Sequence, residues 1–340
     1  MDRTPAEDGF YMPPDWGPHE RCWIAWPCRI GAWGEAMDQA CLTVAALARA
    51  IARYEPVNVL VPAEMIPAAR LQMGSLVTIC EAELDDSWCR DIAPNFLING
   101  EGGLAGAVFD FNAWGNKYRN YDKDAGLGQW LLRELGLPCY QVPMTLEGGA
   151  IHVDGSGTLI TTESVAFNSD RNPTLDKRQI EERLAMYFGI RKVIWLPDGL
   201  IGDRADGQVN KISRFIAPGR MMCAVAAHRG DPNRANLSDN LAQLAGERDA
   251  LGRPLELVEL PLPQPLQQPD GQFMVRSYLD FYIANAAVYV PAFDDAGDEE
   301  AARLIAAAFP DRKVAQIDMA DIAQRGGAIH SLTQQQPKVA

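Results

Sequence analysis

The chain has 340 residues, 47% hydrophobic and 22% charged, which allows a sizeable core and excludes a disordered segment. Its 45 acidic residues against 31 basic ones give a net charge of −14, which excludes a nucleic-acid footprint and suits a cationic small molecule. The acidic start at 1–10 reads as no signal peptide, and no apolar run approaches the roughly 20 residues of a membrane span. Seven scattered cysteines without a C-x-x-C pair, and only four histidines, predict reduced thiols, a cytoplasmic setting, no zinc site and no cofactor.

Taken in chain order, a helix is expected over 36–54, then strands over 57–61, 76–80 and 95–98. A helix over 123–135 follows, then a strand over 159–162. Next come a helix over 174–188, with Asp176 at its start, and strands over 192–196, 212–216 and 221–226. A helix over 237–251 precedes strands over 257–260 and 287–290. The last helix, over 298–309, opens on Asp298, Glu299 and Glu300, which suits the positive end of a helix dipole. The Pro/Gln stretch 261–269 reads as a surface loop. Strands and helices mixed at this density predict an α/β class and one domain spanning 1–340.

One short repeat interrupts the pattern. Gly148-Gly149-Ala150-Ile151-His152 recurs as Gly326-Gly327-Ala328-Ile329-His330. With a repeating unit of roughly 60 residues, above the usual solenoid periods, the copies sit three units apart. Paired glycines permit a sharp backbone path or a close approach to a ligand, and a strand is expected after each pair.

Five further segments carry a family pattern. They are Met12-Pro13-Pro14-Asp15-Trp16-Gly17-Pro18-His19-Glu20 with Trp23-Ile24-Ala25-Trp26-Pro27; Asp85-Asp86-Ser87-Trp88-Cys89-Arg90-Asp91; Leu146-Glu147-Gly148-Gly149 with Asn168-Ser169-Asp170-Arg171-Asn172-Pro173; Trp195-Leu196-Pro197-Asp198-Gly199 running to Asp206-Gly207-Gln208-Val209-Asn210; and Gly326 to Pro337. In this order, over about 12–337, the chain resembles the agmatine deiminases and bacterial peptidyl-arginine deiminases. The resemblance implies a five-fold pseudosymmetric α/β propeller of ββαβ-type units around a central site. It also implies a homodimer.

A guanidinium carbon is unreactive. Cutting one of its C–N bonds needs carboxylates to hold the planar fork, a nucleophile, and an acid that protonates departing ammonia and then activates water. By resemblance, Asp91 and Glu147 are the carboxylates, and Trp88 borders them. The family's histidine and aspartate fall on Gln208 and Asn210, and its cysteine falls on Ser331. Gln208 cannot titrate as an imidazole does, Asn210 lacks a charge, and a serine hydroxyl is a far weaker acid than a thiol. Arg204 adds repulsion toward a cation. His330 adjoins Ser331, but strand alternation would turn the two apart, and the same alternation would place Cys89 on the Asp91 face. Trp16, Trp23, Trp26 and Trp88 are candidate walls for a cation.

The leading expectation is therefore a family member that binds a small guanidino or amine ligand and in which hydrolysis of agmatine to N-carbamoylputrescine and ammonia is lost or strongly impaired. The alternatives are an active hydrolase or transferase with altered chemistry, and a non-catalytic partner of an active homologue.

Overall fold

The computed structural model describes residues 3–339. Among them, sixteen strands form five small sheets. The second sheet joins β4 (Asn95–Ile98), β5 (Leu104–Asp110) and β6 (Cys139–Thr145). The third joins β7 (His152–Val153), β8 (Thr158–Thr162) and β9 (Lys192–Leu196). The fourth joins β10 (Ser213–Ala217), β11 (Arg220–Val225) and β12 (Glu256–Pro261). The fifth joins β13 (Tyr282–Ile283), β14 (Ala287–Ala292) and β15 (Lys313–Asp318).

Each of these four sheets is built alike. The first two strands pair antiparallel, and the third lies parallel to the second. A parallel neighbour needs a crossover, and one helix supplies it each time. The first sheet, β1 (His19–Ala25), β2 (Val57–Val61) and β3 (Thr78–Glu81), lacks an antiparallel strand of its own. The C-terminal strand β16 (Thr333–Pro337) provides it, pairing Ile24 with Thr333 and Trp23 with Gln334. The result is a five-fold pseudosymmetric α/β propeller whose two chain ends close the ring in one sheet.

The crossover helices are α1 (Met37–Ile51), α3 (Asp122–Glu134), α4 (Lys177–Phe188), α5 (Arg234–Ala245) and α6 (Asp298–Ala308); α2 (Ile66–Met73) connects β2 to β3. Helix α1 shows why they pack. Its buried Cys41, Val44, Ala45, Ala48 and Ile51 recur at spacings of three and four, one stripe of an α-helix. The middle strands are covered on both faces, so Val57–Val61 and Thr158–Thr162 are buried at every position. No helix among the described residues is long and apolar enough to cross a membrane.

Each expected strand and helix has a counterpart. The helix expected over 237–251 is displaced to Arg234–Ala245, because the chain turns back after Gly246 and bridges Arg248 to Pro254. The two Gly-Gly-Ala-Ile-His copies precede β7 and β16, three units apart around the ring. Only the first copy leads directly into a strand. Ile329–Leu332 forms a helical turn before β16.

Candidate active site

The segment just before the first strand of each unit points to the centre of the ring. Asp91 lies on the turn Cys89–Ile92 before β4, and Glu147 leads the turn Gly148–Ala150 before β7. Gln208 caps the turn Val209–Lys211 before β10. Asp280 precedes β13, and Ser331 lies on the turn Ile329–Leu332 before β16. Pseudosymmetry alone thus assembles five polar segments that are far apart in sequence.

Three of them, at Asp91, Gln208 and Ser331, border a pocket open to solvent; Glu147 and Asp280 stand behind it. Asp91, Gln208, Lys211 and Ser331 form its polar wall, and Trp88, Trp114 and Tyr118 form its aromatic wall. Asp91 is fully engaged. Its Oδ1 accepts from the Gly149 amide at 3.0 Å, and its Oδ2 accepts from Trp114 Nε1 at 2.8 Å and Gln208 Nε2 at 3.0 Å. Its sequence neighbour Arg90 turns away and donates to Gln335.

Glu147 and Asn210 are both 0% exposed and sit behind the pocket wall. Glu147 Oε1 accepts from Arg171 Nε at 2.7 Å, while Arg171 also holds Asp206 at 2.7 Å and the Ala205 carbonyl. Burial pushes the Glu147 carboxyl up to about 7, because Arg171, shared with Asp206, offsets only part of the desolvation and Asp91 adds repulsion. Glu147 Oε2 and Asn210 Oδ1 have no hydrogen-bond partner among the described residues. Asn210 Nδ2 donates to His330 Nδ1 at 3.0 Å.

Ser331 is anchored by Asp280, which accepts from the Ser331 hydroxyl at 2.9 Å, the Ser331 amide at 2.9 Å and the Ala328 amide at 2.9 Å. Burial raises Asp280. The amide and the hydroxyl of Ser331 are thus both committed to Asp280. We therefore read the pair as a loop anchor.

The two repeat histidines meet away from the pocket. His152 Nε2 and His330 Nε2 each donate to Asp15 Oδ2 at 3.1 Å, beside Arg214 Nη2 at 2.7 Å, and Asp15 Oδ1 accepts from Gln335 at 2.8 Å. Burial lowers both imidazoles, His330 the further because Arg214 and Arg90 repel its proton. Asp15 is held well below the usual carboxylate range: burial opposes this, but His152, His330 and Arg214 outweigh it. Both histidines are therefore neutral at pH 7 and committed to the core.

The sequence profile of the Porphyromonas-type peptidyl-arginine deiminases matches residues 11–337. The agmatine deiminase of Stutzerimonas stutzeri is 38% identical over 360 residues, covering 99% of this chain and 98% of that protein. The chain belongs to this deiminase family. The solved agmatine deiminase of Enterococcus faecalis superposes with a TM-score of 0.95 at 32% identity, covering 99% of this chain and 98% of that one. A cysteine-to-serine variant of the C. jejuni agmatine deiminase, with substrate bound, superposes with a TM-score of 0.89 at 26% identity and 97% coverage of both chains.

Of the residues singled out in this family member's sequence, Asp91, Trp88, Gln208 and Ser331 line the pocket. Glu147 and Asn210 lie one layer deeper. Cys89 does not share the Asp91 face: on a helical turn the alternation of a strand fails, and Cys89 is 0% exposed with its thiol pushed up to about 12 by burial. His330 and Ser331 do point apart, though also from a helical turn. Trp23 bonds Gln336 within the first sheet, Trp26 is core, and Trp16 packs against the core, so only Trp88 of the four tryptophans borders the pocket.

Sequence reasoning missed Trp114, Tyr118, Lys211, Asp280 and Arg325. Trp114 was findable. Its loop holds Ala113, Trp114, Asn116 and Asn120 at positive φ, and Asn-Gly-rich stretches are where such backbone occurs. Strained non-glycine backbone beside a site is a functional pointer.

Proposed function

We propose that this chain is a ligand-binding member of the deiminase family that does not hydrolyse agmatine by the family's cysteine–histidine chemistry. The observation that carries this reading is Gln208 at the pocket wall, where an acid–base group is needed. Its amide donates to Asp91 and cannot exchange a proton near neutral pH. His152 and His330 are buried on Asp15, and neither lines the pocket. Ser331 faces the pocket with its hydroxyl proton given to Asp280. A cysteine-to-serine variant of the C. jejuni agmatine deiminase has substrate bound, so a serine in a site of this kind is compatible with holding a ligand.

A guanidino or amine cation is the second reading for the ligand, favoured by Asp91 between Trp88, Trp114 and Tyr118. Against it stand Lys211, Arg204 and Arg325 in the same lining.

The test is ammonia release from agmatine by the unmodified protein. The expected result is no release above a protein-free control. Steady conversion to N-carbamoylputrescine that Ser331→Ala abolishes would overturn the proposal.

A further inference from the structure

We infer that the pocket takes a small carboxylate with a flat apolar body, its anionic end held by Arg204 and Arg325. The inference rests on the ligand-binding reading above and specifies its ligand.

The charges on the wall decide it. One lining carboxylate, Asp91, stands against three lining cations, Arg204, Lys211 and Arg325. Asp91 already accepts three hydrogen bonds and needs no cation from outside. Behind the wall, Asp206 is held by Arg171 and Lys117, and Asp203 by Lys211 at 2.6 Å; Glu147 meets Arg171 through Oε1 alone, its Oε2 has no hydrogen-bond partner among the described residues, and burial, which pushes this carboxyl up to about 7, weakens its charge. Asp280 is spent on the Ser331 turn.

The cations at the mouth are different. The Arg204 side chain has no hydrogen-bond or carboxylate partner among the described residues. It lies over Gly326, the residue after Arg325, its Cδ 3.8 Å from where a Cβ would stand. Arg325 donates only to the Trp33 carbonyl at 3.4 Å, and its buried Nε has no partner among the described residues. A buried N–H without an acceptor is costly, and a carboxylate is the acceptor whose two oxygens match a guanidinium fork. Both arginines also border the adjoining cleft beside Trp33 and Asp86, whose carboxylate is taken by Arg29, Trp33 and Ser87. Free positive charge is thus concentrated at the entrance, on a molecule whose net charge is −14. That overall charge is screened beyond about 8 Å at physiological salt, so the local arginines govern what enters. The flat body follows from the aromatic rings of Trp88, Trp114 and Tyr118 that wall the same space.

Benzoate and benzamidine test this directly, because they share one shape and carry opposite charge. Calorimetric titration of the full chain should show benzoate binding, with benzamidine at least about tenfold weaker. Arg204→Gln and Arg325→Gln should each weaken benzoate about 10- to 100-fold, the range of one lost charge-assisted hydrogen bond. The binding should also weaken with added salt. Arg204 is exposed and unpartnered, so its variant should melt as the wild type does, which separates lost binding from lost folding. Equal or tighter binding of benzamidine, benzoate affinity unchanged in both variants, or no benzoate binding at all would overturn the inference. Inorganic phosphate binding more tightly than benzoate would overturn the assignment to a carboxylate. Ammonia release from agmatine would remove the ligand-binding reading, whereas the benzoate–benzamidine order decides the ligand's charge by itself.

Discussion

Gly149 and Gly327 show how single residues set the pocket. A Cβ on Gly149 would stand 2.7 Å from Gln208 Oε1 and 2.9 Å from Asp91 Oδ1. On Gly327 it would stand 2.4 Å from the Trp88 ring and 2.9 Å from Ser331 Cβ. Equivalent glycines of the two repeat copies therefore each leave room for side chains of one site. Gly149→Ala should cost about 1–3 kcal/mol by overpacking and should loosen the Asp91–Gln208 contact. Urea unfolding measures the first effect, and a Gly149→Ala protein as stable as the wild type would show that the wall yields. At the same scale, Ser331→Cys supplies a thiol but no proton donor. General acid–base help is worth roughly 10²–10⁴-fold, and members of a catalytic unit fail together. The variant should therefore release no ammonia from agmatine over many turnovers, with intact-mass spectrometry reading any covalent adduct. Multiple turnovers by Ser331→Cys alone would show that another group moves the proton. Motif position placed Asp91, Trp88, Gln208 and Ser331 at the pocket because the ring geometry repeats. It could not place Lys211 or Arg325, since which of several adjacent side chains faces inward depends on helical turns too short to read.

Among the elements, the five crossover helices were legible because their signals are local, whereas the eight-residue α2 was not read. Asp176 caps α4 by accepting from the Gln179 amide at 2.8 Å, while the Gln179 side chain accepts from the Asp176 amide at 2.9 Å. Asp176→Ala should remove one half of this reciprocal box and destabilise the protein by about 1 kcal/mol. A midpoint of denaturation equal to the wild type would mean that packing of Ile180, Leu184 and Phe188 alone fixes the helix. Strands were less legible. β7 and β13 are two residues long and have no period to detect. β6 and β15 lie at sheet edges with mostly exposed or half-buried side chains, so their apolar alternation is weak. β16 reads Thr-Gln-Gln-Gln-Pro, yet every position is buried. Polar strands of this kind are invisible to hydropathy because partners elsewhere satisfy them: Gln334 reaches the Pro94 carbonyl, Gln335 reaches Asp15 and Arg90, and Gln336 reaches Trp23.

At the scale of the whole molecule, Asp15 gathers side chains from the third unit (His152), the fourth (Arg214) and the closing strand (Gln335, with His330 just before it). Removing its charge strands the Arg214 guanidinium, so Asp15→Asn should cost about 3–5 kcal/mol. The histidines of this network contribute to the pH response. His152 and His330 are lowered from 6.5, so the unfolded chain binds protons that the folded chain refuses. Their contribution to stability is present above about pH 6.5 and is lost as pH falls, at up to about 1.4 kcal/mol per pH unit for each histidine. Glu147 and Asp124 act in the opposite direction. Both are raised to about 7, chiefly by burial, from 4.5 and 3.8, so the folded chain binds protons first and their contribution grows as pH falls through 7. Burial raises Asp86 and Asp280 as well, so the raised carboxyls oppose the two histidines as pH falls below 6.5. Below about pH 4 the raised carboxyls have nothing more to add, while Asp15, held well below 3.8, begins to favour the unfolded chain as well, so stability should fall steeply. Glu147→Gln removes one of the compensating groups. Its stability should therefore decline on going from pH 6.5 to 5, by up to about 1.4 kcal/mol per pH unit more than the wild type. Urea midpoints at half-unit pH intervals give both curves, and parallel curves would show that Glu147 titrates no differently in the folded chain than in the unfolded one.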